Sequence, residues 1–142
     1  MIKKIIGILL LTFLFTACNG EQSIQSTTNN SDTESNKKGY RQIAVDEAIG
    51  IMNSESDYII LDVRRADEFS EGHIPNAINI ANESIGTSEI PELPNKKQLI
   101  LVYCRSGRRS KEASEKLVAL GYTNIVEFGG ILDWTGETVK GE

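Results

Sequence analysis

The chain has 142 residues, of which 39% are hydrophobic and 25% are charged, a composition typical of a globular protein with one folded domain. Twenty acidic residues against fifteen basic ones give a net charge of -5. We therefore expect no nucleic-acid partner, because phosphate binding requires a basic face. One histidine and two cysteines cannot supply the four ligands of a structural zinc site, and no nucleotide-binding glycine motif is present, so we expect no metal and no cofactor.

Residues 1–17 have the pattern of a secretion signal. Lys3 and Lys4 precede an apolar run over 5–15, which is shorter than the roughly 20 residues of a membrane-spanning helix. The string FTAC that ends at Cys18 resembles the lipobox of bacterial lipoproteins, with Phe15 where leucine is usual. This resemblance implies that Cys18 is lipidated and anchors the protein to a membrane of the cell envelope, outside the cytoplasm. An ordinary secreted protein or an uncleaved N-terminal anchor is the alternative.

Residues 18–39 contain very little that could enter a hydrophobic core. From 19 to 38, Ile24 is the only large apolar residue, and most of the others are Ser, Thr, Asn, Gln or charged. Such a stretch cannot bury enough apolar surface to offset the entropy lost on ordering. We therefore expect a disordered tether over 18–39 and a folded domain over 40–142.

The folded part alternates strand and helix patterns. Short apolar runs typical of strands buried on both faces lie at 58–61, 77–80, 99–103 and 124–128. Helical patterns lie at 45–52, 66–71 and 110–120. This alternation predicts an α/β domain with a central parallel sheet and helices on both faces.

Cys104 follows directly on the strand predicted at 99–103. In parallel α/β sheets the functional site lies beyond the carboxyl ends of the strands. A cysteine there, just before a helix, meets backbone N–H groups and the positive end of the helix dipole, which favour a thiolate. Basic residues surround it, namely Arg105, Arg108, Arg109 and Lys111. The pattern indicates a nucleophilic cysteine that acts on an anionic substrate.

Three strings of this domain resemble the rhodanese family of sulfurtransferases, and they occur in the family's order. They are LDVRRADEFSEGHIPNAINI, VYCRSGRRS and FGGILDW. The resemblance covers about 40–134 and implies the rhodanese fold. Asn76 stands where the family has glycine in the HIPGA turn, and asparagine also tolerates the left-handed conformation.

The resemblance implies a role for each residue of the loop that follows the strand. Cys104 would be the nucleophile, taking the outer sulfur of a small anionic donor such as thiosulfate to form a persulfide, from which a thiol or cyanide collects the sulfur. The substrate-binding residues would be Arg105, Ser106, Gly107, Arg108 and Arg109. Which arginine contacts the donor is left open by the sequence.

Three further residues are interpreted as structural support. Asp62 and Arg64 end a buried strand and are expected to form a hydrogen-bonded pair that braces the active-site side of the sheet. His73 lies in a tight turn, and a thiolate stabilised by its loop needs no general base, so a structural role is favoured over a catalytic one.

We also expect the protein to be a monomer.

Two alternative functions are compatible with this fold. A cysteine phosphatase or arsenate reductase would need an arginine at the sixth position after the cysteine, and Ser110 occupies that position. A non-catalytic binding module of the rhodanese type typically lacks the cysteine that is present here as Cys104. Both features favour the sulfurtransferase.

Overall fold

The computed structural model of this protein describes residues 38–141. Their strands are β1 (Arg41–Gln42), β2 (Tyr58–Asp62), β3 (Ala77–Asn79), β4 (Leu99–Cys104) and β5 (Ile125–Gly130). The five strands form one sheet in the order β1-β5-β4-β2-β3, and all neighbours run parallel. The predicted α/β class is therefore confirmed. The short β1 was not predicted, because two residues are too few to show a strand pattern.

The helices between the strands are α1 (Val45–Ser54), α2 (Ala66–Glu71) and α3 (Arg108–Ala119), with short 3-10 helices at Asn82–Ser84 and Ile131–Asp133. None of the helices found within 38–141 combines the length and the apolar character needed to span a bilayer. The predicted signal over 1–17, the lipidation site Cys18 and nearly all of the predicted tether lie outside the described residues.

The start of α3 differs from its predicted position at Ser110. The helix begins at Arg108, because Gly107 adopts a left-handed conformation with φ of 96° as the N-cap residue. Glycine reaches this region without the steric cost that other residues pay, so the chain turns from β4 into α3 within three residues. Arg108 and Arg109, which we expected in the loop, therefore belong to the first turn of the helix.

Two layers of hydrophobic side chains cover the two faces of the sheet. On one face Val102 and Cys104 of β4 pack in a cluster with Leu117 of α3. On the other face Leu101 and Tyr103 pack in a second cluster, which includes Ala48 of α1. Because β4 is the central strand and is buried on both faces, the residue at its carboxyl end is held firmly in place.

The turn before β3 has the conformation expected from the sequence. The Ala77 N–H donates to the Ile74 carbonyl at 3.0 Å, which closes a four-residue turn. Pro75 occupies its second position and Asn76, with φ of 65°, its third. A positive φ at the third position is the mark of a type II turn, where asparagine is the usual substitute for glycine. The left-handed turn predicted at Asn76 is confirmed.

The end of β5 lies directly beneath the connection from β4 to α3. The register between the two strands shifts after Val102, so that Cys104 pairs with Gly130. A Cβ atom on Gly130 would overlap the Arg105 carbonyl and lie 2.6 Å from the Cα of Ser106. Only a residue without a side chain fits beneath this loop.

We predict that Gly130→Ala destabilises the fold by about 1–3 kcal/mol, because the new methyl group must push the loop away from β5. Gly50→Ala is the matched control, since a Cβ at this exposed position of α1 meets nothing within 4 Å. The control should stabilise the protein by about 0.5–1 kcal/mol through the higher helix propensity of alanine. Urea unfolding of both variants measures the effect, and equal midpoints for Gly130→Ala and the wild type would contradict it.

Candidate active site

Cys104 is the last residue of β4 and lies at the floor of a cleft of about 480 Å³. Only 1% of the residue is exposed. The N–H of Gly107 donates a hydrogen bond to its Sγ at 3.1 Å. Because Gly107 caps α3, the sulfur lies at the positive end of the helix dipole, beside N–H groups that have no acceptor within the helix. This environment stabilises negative charge on the sulfur.

Two of the three predicted loop arginines are already paired with carboxylates. Arg109 donates two hydrogen bonds to Glu68 of α2, at 2.6 and 2.8 Å, and the hydrogen bonds lower the pKa of Glu68 to about 2. Arg108 donates to Glu112 at 2.6 Å, one turn further along α3. The local positive charge expected from the sequence is therefore partly neutralised, and the Arg109–Glu68 pair links α2 to α3 across the cleft.

Arg105 is the exception among the arginines that line the cleft. Within 38–141, its guanidinium makes none of the hydrogen bonds or ion pairs found for the others, and the residue is exposed. Its backbone is nevertheless held, because the Arg105 carbonyl accepts the N–H of Leu132 at 3.2 Å. The neighbouring Ser106 is also exposed at the cleft. The backbone of Arg105 is thus fixed, and the charge of its exposed side chain is available to a ligand.

The predicted contact between Asp62 and Arg64 is present at the end of β2. Arg64 donates through Nε and Nη2 to the Asp62 carboxylate and through Nη2 to the Gly72 carbonyl at 2.7 Å. Its guanidinium also lies 5.8 Å from the ring centroid of Tyr103. Burial, with the nearby Asp62 carboxylate, raises the pKa of Tyr103, so its hydroxyl stays protonated. The network joins β2, β4 and the end of α2 beside the cleft.

The structure does not bring His73 to the cysteine. Its ring stacks on Phe69 with centroids 3.6 Å apart, and Nδ1 lies 2.9 Å from the Phe69 carbonyl oxygen. Its backbone exchanges two hydrogen bonds of 2.9 Å with Val139 near the C-terminus. His73 is buried and does not line the cleft of Cys104. It also does not line a neighbouring cleft of about 310 Å³, whose walls include Glu71 and Leu132. These contacts agree with the structural interpretation of this residue.

Glu127 is a buried residue of the site that the sequence analysis missed. Only 2% of it is exposed, and its carboxylate accepts the Ser110 hydroxyl at 2.6 Å, the Gly129 N–H at 2.9 Å and the Gln42 amide at 3.0 Å. These bonds fix the first turn of α3 to β5, behind the loop that follows Cys104. The sequence feature that could have identified Glu127 is the presence of an acidic residue inside the apolar run 124–128.

Comparisons with known proteins agree with this architecture. The rhodanese-like domain model matches residues 44–137 of the chain. The thiosulfate sulfurtransferase PspE of Escherichia coli K12 is 31% identical over 105 residues, which is 74% of this chain and 98% of that protein.

Solved structures show the same relationship. A rhodanese with anions from E. coli is 33% identical with a TM-score of 0.55, over 59% of this chain and 99% of the other. A rhodanese-like domain protein from Staphylococcus aureus is 29% identical with a TM-score of 0.59, over 71% of this chain and 98% of the other. The match to the domain model over most of the described residues, together with these relatives, shows that the chain belongs to the rhodanese family.

Proposed function

We propose that this protein is a sulfurtransferase that takes sulfane sulfur from a small anionic donor such as thiosulfate and passes it to a thiol or to cyanide through a persulfide on Cys104. The observation that carries the proposal is the position of Cys104 Sγ, which accepts the Gly107 N–H at 3.1 Å at the start of α3. The name thiosulfate sulfurtransferase of the E. coli relative supports the same activity.

The reaction has two steps. The Cys104 thiolate attacks the outer sulfur of thiosulfate, an S–S bond forms, the donor's own S–S bond breaks, and sulfite leaves with the electron pair of that bond. The acceptor anion then attacks the outer sulfur of the persulfide, and the Cys104 thiolate is released. Both steps conserve charge and need no proton donor, which agrees with a cleft to which His73 does not contribute. The amide of Gly107 stabilises the anionic sulfur that is present before and after each step.

Positive charge at the start of α3 favours an anionic donor. Four arginines line the cleft, Arg65, Arg105, Arg108 and Arg109, and all but Arg105 are paired with carboxylates. The unpaired Arg105 lies beside the positive end of the α3 helix dipole, and together they attract an anion to the end of β4.

A phosphatase or arsenate reductase is a weaker candidate because of the residue at the sixth position after the cysteine. That position is Ser110, and its hydroxyl donates to the buried Glu127 at 2.6 Å. Ser110 does not line the cleft that holds Cys104. An arginine clamp for the oxygens of a phosphoryl group is therefore not available at this position.

We predict that Cys104→Ser reduces thiosulfate-to-cyanide transfer to the uncatalysed background while the unfolding midpoint stays close to that of the wild type. The change is nearly isosteric, but an alcohol can neither attack as a thiolate nor carry a persulfide. Intact-mass spectrometry after thiosulfate treatment should find one added sulfur on the wild type and none on the variant. Hydrolysis of an aryl phosphate as fast as sulfur transfer would instead support the phosphatase, and a wild type that gains no sulfur would support the binding module.

Arg105 is the arginine we assign to the donor, because Arg108 and Arg109 are occupied by Glu112 and Glu68. Arg105 lines the cleft, follows Cys104 directly and is free of a carboxylate partner within the described part of the chain. Its guanidinium can therefore hold the sulfonate oxygens of thiosulfate without first breaking an ion pair.

We predict that Arg105→Ala lowers kcat/KM for thiosulfate by about tenfold, the effect of losing a hydrogen bond to a charged group. The matched control is Arg108→Ala, whose side chain is 75% exposed and paired with Glu112, and which should change kcat/KM by less than about twofold. Steady-state kinetics with varied thiosulfate measure both. The assignment is wrong if the two variants lose activity equally.

We also propose that lipidated Cys18 anchors the protein to the outside of a membrane in the cell envelope, with residues 18–39 as the tether. The support is the basic start, the short apolar run and the FTAC string of the sequence. Such an anchor would place the cleft within reach of substrates at the membrane surface.

We predict that Cys18→Ala abolishes metabolic labelling with a palmitate analogue and reduces the membrane-bound fraction in sedimentation. Cys104→Ser is the matched control, because it removes the other of the two cysteines and should keep the label. Absence of label on the wild type would remove the lipoprotein proposal without affecting the assigned activity.

A further inference from the structure

The ion pair between Glu68 and Arg109 forms part of the wall of the Cys104 cleft. Two nitrogens of the guanidinium each donate to a different carboxylate oxygen, at 2.6 and 2.8 Å, which is the two-point geometry of a strong arginine–carboxylate pair. The side chains are only 16% and 19% exposed, so solvent ions screen their attraction less than they would at the surface. The pair therefore neutralises a cation in the wall of the cleft that contains the nucleophile.

The charge of Arg109 is felt at the cysteine. The hydrogen bonds to Glu68 are the main cause of the raised pKa of Arg109, and the charges of Cys104 and Glu83 raise that pKa further. Glu83 lines the same cleft but is exposed, so an ion pair between Glu83 and Arg109 would be weak. Without the carboxylate of Glu68, the charge of Arg109 would therefore add to that of Arg105 in attracting an anion.

The proposed reaction needs a cleft that binds anions without retaining them. The donor is a dianion, and the first step leaves sulfite, a second dianion of similar size, at the same place. Two guanidinium groups hold an oxyanion at more points, and so more tightly, than one group does. A cleft with both Arg105 and Arg109 free would retain sulfite and would also fill with sulfate or phosphate from the solution. Tighter binding of this kind does not accelerate the chemical step, because it favours substrate and product alike.

We propose that Glu68 is a specificity-determining residue, which lowers the affinity of the cleft for oxyanions by withholding Arg109 from them. Arg105 then holds the sulfonate end of the donor, and sulfite or sulfate binds weakly enough to exchange. Glu68 acts through the charge of Arg109 and needs no contact with the reacting atoms. The inference rests on the proposed function, because it takes sulfite as the product that must leave the cleft.

Glu68→Gln tests the proposal with little disturbance of the fold. The amide has the shape of the carboxylate, and its oxygen can still accept the N–H of Arg65 at the start of α2, which Glu68 accepts at 3.3 Å. The negative charge is lost, so the charge of Arg109 is no longer cancelled. Glu112→Gln is the matched control, because it makes the same change at the partner of Arg108, another arginine of this cleft, whose side chain is 75% exposed. If Glu68→Gln does not fold, Glu68→Ala is the second variant, because it lets water solvate the guanidinium.

Sulfate is the probe, since it has the charge and about the size of sulfite and carries no transferable sulfur. The full chain, free of added sulfur, is treated with iodoacetamide at increasing sulfate and constant ionic strength, and peptide mass spectrometry follows the alkylation of Cys104. The dissociation constant of sulfate is obtained from the concentration that halves the alkylation rate. We expect Glu68→Gln to lower this constant by about tenfold and Glu112→Gln to lower it by less than about twofold. In steady-state transfer to cyanide, Glu68→Gln should lower the KM for thiosulfate without raising kcat.

The double variant Glu68→Gln/Arg109→Gln isolates the contribution of the arginine. It replaces an ion pair of zero net charge by two neutral amides, so the dissociation constant of sulfate should return to within about twofold of the wild-type value. The role of Glu68 is overturned if Glu68→Gln lowers the constant no more than Glu112→Gln does, or if the double variant binds sulfate as tightly as Glu68→Gln. If the wild type gains no sulfur from thiosulfate, the proposed function fails, and the role of Glu68 in that reaction fails with it. Sulfur gain and sulfate binding are separate measurements, so the two failures are distinguished.

Discussion

The hydrogen bond from the Gly107 N–H to Cys104 Sγ is the contact on which the rest of the site depends. It is made by the N-cap residue of α3, whose left-handed φ of 96° turns the chain from β4 into the helix. It also requires that Gly130 carry no side chain, because the loop rests directly on β5. Finally, Glu127 holds Ser110 at 2.6 Å and so fixes the start of the helix. The sulfur is held by a hydrogen bond from the backbone, and the backbone is fixed by residues behind it.

Most of the charged side chains around this contact are already paired with one another, so few of them are available to bind a ligand. The sequence shows a run of arginines, but Arg109 is held by Glu68 and Arg108 by Glu112. These pairs fasten α3 to α2 and brace the helix itself, so their positive charge contributes more to architecture than to ligand binding. The charge of Arg105 has no ion-pair partner among the residues that the structure describes and is available to a ligand. The number of basic residues in a motif therefore overstates the positive potential that a substrate meets.

Local signals predicted much of the fold and the centre of the site. The apolar run of β4, the cysteine at its carboxyl end, the Asp62–Arg64 pair and the left-handed turn at Asn76 all follow from residues close together in the chain. The partners that tune the site could not be predicted in this way, because Glu68 lies 41 positions from Arg109 and Glu127 lies 17 from Ser110. Only the packing of helices against the sheet brings them together. The lipidation of Cys18 stays a prediction.

A two-step transfer would let one arginine serve both halves of the proposed reaction. Under the proposed mechanism sulfite departs before the acceptor binds, so Arg105 never has to hold both anions at once. The cleft of Cys104 is built mainly from the loop and α3, whereas the cleft beside it takes Glu71 from α2 and Leu132 from the 3-10 helix after β5. Arg105 lies in the wall of both clefts. The chemistry proposed for this protein is thus confined to the end of β4, and the surfaces that surround it come from elements that only touch the loop.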